Sequence, residues 1–369
     1  MHISSMGEFE QGAPLIDELL ARFPDAWIVV SLFSPSAYEH LTFDKERTVI
    51  TYLPFDVYRN AVRFVDRVRP SIHIIIRHDI WPNYQWILQK RGIPSLLVSA
   101  SISDERLTSV KRWRRLYRHV YASFSAICVI SEMQKERLAL IYPHEDRIKV
   151  CGDTRYDRVY ARAMDTKKID FLKDRFNRER CLVAGSTWPA DEKIVMPGIS
   201  KALEHYEDFR VIIAPHEISS DHLESIEAQL SLDKQSVVRL SNYKKSPEHF
   251  RVLLVDSIGL LANLYALGAI AYVGGGFGVG VHSVLEPAAH GAVICYGPNH
   301  RNSPEAREMA EQKIATPIAT AAEFQSVLFD LLEKPQHTSE RGEKTKTFVL
   351  RNVGASRRTA DVAEHFTSR

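Results

Sequence analysis

The chain has 369 residues, more than a single hydrophobic core usually organises, so two domains of ordinary size are expected. Its composition, 45% hydrophobic and 25% charged, is that of a globular protein and excludes a disordered chain. The formal net charge of +2 is too small to imply a nucleic-acid partner. Four widely spaced cysteines favour buried thiols over disulfides or a zinc site. The apolar runs all stay below the roughly 20 residues of a membrane span, which predicts a soluble or peripheral protein.

Short apolar runs alternate with amphipathic stretches in the first half of the chain. Because both faces of these runs are apolar and helical patterns separate them, they predict parallel strands of a doubly wound α/β sheet. The predicted strands are 27–33, 48–53, 72–76, 95–100 and 126–130, and predicted helices include 14–23 and 58–68.

The strand pattern begins again after a polar stretch at 155–180, which predicts a second α/β lobe and a connection before it. The predicted strands are 181–184, 211–214, 252–255, 270–273 and 293–296. The sequence therefore predicts one domain at 1–160, a second at 161–338 and a helical tail at 339–369. By analogy with other two-lobed folds, this tail is expected to pack back on the hinge.

Ligands of parallel α/β sheets bind beyond the carboxyl ends of the strands, so the turns there hold the candidate chemistry. In the segment 2–8 (HISSMGE), Glu8 follows a short strand and begins a helix. It is either a base for a sugar hydroxyl or a helix-terminal charge. In the segment 78–83 (HDIWPN), Pro82 fits the first turn of a helix. Asp79 is either the N-cap of that helix or an active-site carboxylate.

The second lobe carries a glycine-rich turn at 274–280 (GGGFGVG), before a predicted helix that contains Glu286. Glycine amides approach an anion closely and a helix N-terminus adds a favourable dipole, which predicts a phosphate site; a plain glycine-rich turn is the alternative. The spacing is not GxGxxG, which disfavours a dinucleotide dehydrogenase. The residues Ser186 and Thr187 either join this anion site or cap a helix.

Two other arrangements lack the required spacing. The pair His216-Glu217 with His222 does not form HExxH, so a zinc protease is disfavoured. Ser283 beside His282 does not form the GxSxG elbow of a hydrolase.

A basic segment at 106–119 is either a solvated helix face or a surface that grips anionic headgroups while its aromatic residues enter the membrane interface. Its basic residues are Lys111, Arg112, Arg114, Arg115 and Arg118, interleaved with Trp113, Leu116 and Tyr117.

In this order the motifs resemble one family over nearly the whole chain, the Kdo transferases of lipopolysaccharide synthesis, where Kdo is 3-deoxy-D-manno-octulosonic acid. That family has the two-lobed GT-B fold, with two Rossmann-like lobes facing across a cleft. The matching motifs are HxxSxGE at 2–8, YLPFD at 52–56, WPN at 81–83, GDT at 152–154, GST at 185–187, the glycine turn with its following His282 and Glu286, and GP at 297–298. The spellings GEFEQG, SPSAYE and GGGFG look most like Bacteroidetes-type members.

The resemblance implies inverting transfer of Kdo from CMP-Kdo to lipid IVA, a lipid A precursor, at the cytoplasmic face of the inner membrane. It makes Glu8 the catalytic base, with Asp79 at the position of a second acidic residue. The glycine turn and Ser186 would hold the CMP phosphate and Glu286 the ribose. The implied donor residues are Ser186, Thr187, His216, Gly275, Gly276, Phe277, Gly278, His282, Ser283 and Glu286. On the acceptor and membrane side are Ser5, Gly7 and the five basic residues of 106–119. No metal, cofactor or nucleic acid is expected.

The sequence departs from the family pattern at several positions. Asp79 stands where the family usually has Glu, Ser283 where it has Asn, and His216 lacks a preceding Arg. The usual apolar anchor does not precede His2. Two alternatives follow: another GT-B enzyme, with a different donor or an epimerase activity, and a relative that binds nucleotide or membrane without turnover.

Overall fold

The computed structural model describes residues 1–40, 46–77, 79–230, 236–245 and 250–367. His78, part of the HDIWPN motif, lies outside the described residues. Two compact units are present: unit 1 consists of Met1–Arg158 and Asn352–Arg369, and unit 2 of Val159–Arg351. The first division falls beside the predicted boundary at 160. The predicted tail, in contrast, is divided between the two units.

The strands and helices follow one another along the chain in the alternation that the sequence predicts. The strands are β1 (His2–Ile3), β2 (Ile28–Leu32), β3 (Thr48–Tyr52), β4 (His73–Ile76), β5 (Ser95–Ala100), β6 (Ala126–Val129), β7 (Ile148–Val150), β8 (Cys181–Thr187), β9 (Arg210–Pro215), β10 (Val237–Arg239), β11 (Val252–Leu254), β12 (Ile270–Val273), β13 (Val293–Tyr296) and β14 (Ala315–Pro317). The α-helices are α1 (Met6–Arg22), α2 (Pro35–His40), α3 (Tyr58–Val68), α4 (Pro82–Lys90), α5 (Asp104–Arg112), α6 (Arg114–Tyr121), α7 (Glu132–Ala139), α8 (Arg155–Met164), α9 (Pro189–His205), α10 (Ser220–Gln229), α11 (Leu261–Leu264), α12 (Leu285–Ala289), α13 (Pro304–Glu311), α14 (Ala321–Glu333), α15 (Pro335–Asn352) and α16 (Ala355–Thr367). Short 3-10 helices lie at Glu145–Arg147, Lys167–Arg175, Arg178–Arg180, Leu240–Lys245 and Tyr265–Leu267.

Unit 1 is a parallel sheet with helices on both faces. Over the described residues its strand order is β3-β2-β1-β4-β5-β6-β7. One face packs against α1 and α16 and the other against helices that include α5 and α7, because side chains on both sides of the strands are apolar. All ten strands predicted from the sequence are present in the described residues of the two units, and the predicted α/β class is confirmed.

Unit 2 repeats this architecture. Its described strands run in the order β10-β11-β9-β8-β12-β13-β14, all parallel, between two buried apolar layers. The short strands β7, β10 and β14 were not predicted. Each lies at the edge of its sheet and carries a polar residue or a proline, so its apolar pattern is weak.

The polar stretch 155–180, predicted as a connection, contains α8 and 3-10 helices. The tail divides near Gly354, whose φ of 95° breaks the helical path between α15 and α16. The side chain of Asp157 accepts hydrogen bonds from the amides of Gly354 and Ser356 and so begins α16. None of the described helices is both long and apolar enough to cross a membrane.

Candidate functional site

In unit 1, the turn after β1 places Glu8 in the first turn of α1. Ser5 is the N-cap of this helix: its hydroxyl accepts a hydrogen bond from the Glu8 amide at 3.3 Å, and Glu8 Oε2 accepts from the Ser5 amide at 3.2 Å. This reciprocal pair is a capping box. The same Oε2 also accepts a 2.6 Å hydrogen bond from the amide of Ser4. Glu8 is therefore held rigidly, at the helix start that the sequence predicted. A single helix, α1 (Met6–Arg22), contains both this start and the helical pattern predicted at 14–23.

Asp79 is not the N-cap of α4, so that alternative is wrong. Trp81 occupies the cap position, and the carboxylate of Asp56 caps the helix from the loop after β3. It accepts hydrogen bonds from the amides of Asn83 and Tyr84 at 3.2 and 3.3 Å. Because Pro82 is the first residue of the helix, Asp79 lies two residues before the cap position.

Asp79 instead forms a polar cluster with the turn after β1. Its Oδ2 accepts a hydrogen bond from the Ser4 hydroxyl and lies 3.5 Å from Nε2 of His2. His2 is almost fully buried, and its Nδ1 lies 3.1 Å from both the carbonyl oxygen and the hydroxyl of Ser31. These contacts turn Nε2 toward Asp79 and Ser4.

The environments of the two carboxylates move their pKa values in opposite directions. For Asp79, burial raises the pKa, but hydrogen bonds from His2, Ser4 and Trp81 outweigh it and lower the pKa to about 2. For Glu8, burial raises the pKa above its usual range and the negative charge of Asp79 adds to this, against the hydrogen bonds from the Ser4 and Ser5 amides. A carboxylate with a raised pKa beside one that stays ionised is an arrangement suited to proton transfer.

Aromatic rings adjoin the carboxylates. Trp81 lies edge-on to the His2 ring at a centroid distance of 5.8 Å and to Phe33 at 4.9 Å. Phe33 in turn contacts Phe55 edge-on at 5.8 Å. Trp81 is 9% exposed, whereas Phe33 is 40% and Phe55 71% exposed, so the aromatic row runs from the buried interior to solvent.

In unit 2, the glycine turn 274–280 follows β12 as predicted, but it is organised by a residue that the sequence analysis missed. Asp191, fully buried in the first turn of α9, accepts hydrogen bonds from the amides of Gly275 at 2.8 Å and Phe277 at 3.4 Å. It also accepts from the Tyr272 hydroxyl at 2.8 Å and the Trp188 amide at 3.0 Å. Two amides of the turn for which a phosphate site is predicted thus already donate to a protein carboxylate.

The signal for Asp191 was present in the sequence. It lies three residues after Trp188, at the N3 position where acidic residues form capping boxes, and two residues after Pro189 at the first helical position. Its contacts with a loop more than 80 residues away could not be read from that pattern.

Ser186 and Thr187 do not cap α9, because the N-cap is Trp188. Ser186 has a φ of 54°, in the left-handed region, and interrupts the register between β8 and β9. Such a bulge re-aims a side chain at the end of a strand. The hydroxyl of Thr187 donates a 2.9 Å hydrogen bond to Glu192, a buried carboxylate that also contacts His222 Nε2 at 2.9 Å.

Three rings meet beside this bulge, at the carboxyl ends of their strands. Trp188 stacks on His216 at a centroid distance of 4.4 Å, and His216 stacks on His282 at 4.7 Å. The indole Nε1 of Trp188 donates to His282 Nε2 at 3.1 Å. Burial, with a smaller effect of His216, lowers the pKa of His282, so this ring is neutral at physiological pH. The structure thus brings together two predicted donor residues and a tryptophan that was not assigned.

The remaining predicted donor residues surround the glycine turn. Gly276 packs directly on Gly297: a Cβ on Gly276 would lie 2.5 Å from the Gly297 amide nitrogen, so side chains are excluded from this contact. Gly278 and Ser283 are exposed, and Glu286 is half-buried in the first turn of α12. That helix has only five residues, so the dipole contribution predicted for it is small.

The basic segment of unit 1 forms two short helices, α5 and α6, joined at Trp113 rather than one continuous helix. Trp113 is 58% and Leu116 60% exposed, and the five predicted basic residues are exposed around them. Arg114 also donates a hydrogen bond from Nε to the carbonyl of Leu140 at 2.6 Å, which ties the segment to the helix α7 region.

The two parallel-sheet units have the GT-B fold of nucleotide-sugar enzymes. A UDP-GlcNAc 2-epimerase from Neisseria meningitidis, solved bound to UDP-GlcNAc, superposes with a TM-score of 0.65 at 14% sequence identity, covering 98% of this chain and 97% of that one. The fold class predicted from the sequence is confirmed at this level.

Sequence comparison shows similarity to one family of enzymes. Residues 1–158 match the model of the 3-deoxy-D-manno-octulosonic-acid transferase (kdotransferase) family. The 3-deoxy-D-manno-octulosonic acid transferase of Haemophilus influenzae is 26% identical over 100% of this chain and 87% of its own length. The one from Chlamydia trachomatis is 23% identical over 98% of this chain and 84% of its own length. The chain is thus similar over its whole length to curated Kdo transferases, the family that its motifs resemble.

Proposed function

We propose that this protein transfers Kdo from CMP-Kdo to lipid IVA, with inversion at the anomeric carbon, on the cytoplasmic face of the inner membrane. Similarity to the Kdo transferases supports the donor sugar and the reaction class. The observation that carries the mechanism is the carboxylate pair in unit 1, with the pKa of Glu8 raised and that of Asp79 lowered.

Glu8 is the general base in this mechanism. Its carboxylate takes the proton of a glucosamine hydroxyl, the oxygen bonds to the anomeric carbon of Kdo, and the bond from that carbon to the CMP phosphate breaks. A raised pKa brings the base closer to the pKa of its reacting partner, which strengthens proton transfer in the transition state. The ionised Asp79, with His2 and Ser4, fixes the turn that holds Glu8.

Unit 2 holds the donor. Ser186, the ring group of Trp188, His216 and His282, and the glycine turn lie at the carboxyl ends of β8, β9 and β12, where ligands of parallel sheets bind. Since Asp191 already binds the amides of Gly275 and Phe277, the phosphate is held mainly by other groups, among them the re-aimed Ser186. Glu286 contacts the ribose.

The basic segment brings the protein to an anionic membrane. Exposed Trp113 and Leu116 enter the interface while the surrounding arginines and lysine contact headgroup phosphates. At about 1 kcal/mol per basic residue, reversing Arg112 and Arg115 to Glu weakens binding to anionic vesicles by roughly thirtyfold or more. The matched control reverses Arg63 and Arg67 on α3, which are exposed in the same unit. Equal losses in both double variants would refute a specific membrane surface.

The proposal is tested by transfer from CMP-Kdo to a detergent-solubilised tetra-acylated lipid A precursor. Product carrying Kdo in the inverted linkage, determined by nuclear magnetic resonance, supports the assignment. Consumption of a UDP-sugar in a donor panel, with CMP-Kdo unused, would point to another GT-B enzyme. Binding of CMP without turnover of any acceptor would indicate a relative that has lost activity.

A further inference from the structure

We propose that Phe33 and Phe55 form a platform for an acyl chain of the acceptor, next to the carboxylates that act on its sugar. The inference rests on the proposed function, because it assigns part of the acceptor. The two phenyl rings contact one another and lie outside the polar cluster of His2, Ser4 and Asp79.

Hydrogen bonds to α4 fix the loop that carries Phe55. Phe55 lies in the loop between β3 and α3, which Asp56 fastens to the start of α4 through two backbone amides. The same loop accepts a 2.8 Å hydrogen bond from the Tyr84 hydroxyl to the carbonyl of Pro54 and a 2.9 Å bond from the Asn83 side chain to the carbonyl of Asp56. These four hydrogen bonds hold the loop in place without any contribution from the Phe55 side chain.

An exposed phenyl ring on a fixed loop is a recognition feature, because solvent exposure of apolar surface is unfavourable and the loop offers no freedom to hide it. Phe55 is 71% exposed, and its neighbours Val57 and Tyr58 are 54% and 53% exposed. Met6, at the start of α1 beside Glu8, is 41% exposed. Apolar side chains are therefore exposed both next to Phe55 along the chain and next to Glu8.

The position of Phe33 and Phe55 relative to the carboxylates indicates which part of the acceptor contacts them. The reacting sugar must lie at Glu8 and Asp79, and from Asp79 the contacts lead through Trp81 to Phe33 and only then to Phe55. A group that reaches Phe55 is thus attached to the sugar but lies beyond it. An acyl chain on the sugar satisfies both conditions, since it is apolar and starts at the ring that reacts.

Unit 1 also offers a competing location, a cavity of about 520 Å³. It is lined by Phe23, Trp27, Ile72 and Val68, among others, and reaches the amino end of β2, opposite to Phe33. Trp27 is 67% exposed, close to the value for Phe55, and lies just before the strand that Phe33 follows. Trp27→Ser is therefore the matched control for loss of an exposed aromatic ring.

The test measures binding by isothermal titration without donor or membrane, using glucosamine 1-phosphates N-acylated with 2, 6 or 10 carbons. Complete burial of one methylene group tightens binding by about fourfold. An open platform buries each methylene only in part, so we expect the 10-carbon compound to bind at least roughly tenfold more tightly than the 2-carbon compound. We expect Phe55→Ser to reduce this gain to about threefold, leaving the 2-carbon compound unaffected. Phe55→Leu should keep most of the gain, and Trp27→Ser all of it.

The platform would be refuted if the affinity of the wild type did not depend on chain length, or if Phe55→Ser lowered the affinity for all three compounds equally. It would also be refuted if Trp27→Ser alone abolished the gain in affinity with chain length, because the acyl chain would then bind in the cavity. Thermal unfolding of each variant excludes misfolding, and Phe55→Leu serves as the folded comparison. The binding assay does not depend on transfer, so the two proposals can fail separately. If the protein fails the transfer assay but Phe55→Ser still removes the chain-length effect on binding, the proposed function is refuted and the platform is not.

Discussion

Replacement of Glu8 by Gln separates its two roles. Glutamine occupies the N3 position of a capping box as well as glutamate does, so the contact that begins α1 is retained. The loss of a cap costs about 0.5–2 kcal/mol, a cost that Gln avoids and Glu8→Ala incurs. Gln cannot accept the proton, however, and removal of a general base lowers rates by about 10²–10⁴. We expect Glu8→Gln to keep the wild-type unfolding temperature and CMP affinity while transfer falls by that factor.

The pH profile supplies a second signature. The pKa of Glu8 is raised, so its deprotonated, active form is lost as the pH falls through a value above the usual carboxylate range. Wild-type transfer measured at saturating CMP-Kdo should therefore decline on the acidic side at that raised pKa, and the residual rate of Glu8→Gln should lack this limb. Wild-type turnover by Glu8→Gln, or an unchanged acidic limb in its residual activity, would remove Glu8 as the base.

Three further predictions concern charged residues. Asp79 raises the pKa of Glu8, so Asp79→Asn should move the acidic limb of the transfer profile to lower pH; a shift to higher pH would contradict the electrostatic argument. Asp191→Ala leaves the buried amides of the glycine turn without their acceptor, at a cost of about 1–3 kcal/mol for each amide. The variant should therefore be less stable in denaturant titrations and should bind CMP more weakly. Unchanged CMP binding would show that the glycine turn does not depend on Asp191. Burial lowers the pKa of His222, but the hydrogen bond and charge of Glu192 outweigh it and raise the pKa above its usual value. The ion pair of His222 and Glu192 therefore stabilises the fold fully below pH 6.5, and this contribution is lost as the pH rises through the raised pKa. Glu192→Gln should flatten the decline of the unfolding midpoint above neutral pH, and parallel curves for the two proteins would refute this prediction.

The sequence predicted the elements whose side chains face apolar surroundings on both sides. The strands β6, β12 and β13 have continuous, fully buried apolar runs, because each is covered on two faces. The edge strands β7 and β14 are only three residues long and half covered, so their pattern does not differ from that of a loop.

The candidate site was predicted less completely, since it depends on contacts between distant segments. The position of Glu8 follows from a local capping pattern that spans four residues. The capping of α4 by Asp56 and the binding of the glycine turn by Asp191 join residues 27 and 84 or more positions apart. Local rules offered Asp79 as one candidate for the cap of α4 because they consider only the residues next to the helix.

The return of the last helix to unit 1 has a consequence for the order of folding. Ala360 and Ala363 of α16 are fully buried against the core that α1 helps to form, so unit 1 is complete only when the end of the chain is available. Unit 2, continuous from Val159 to Arg351, has left the ribosome before that point. During synthesis the later unit can finish first, while the unit that carries Glu8 waits for the last helix.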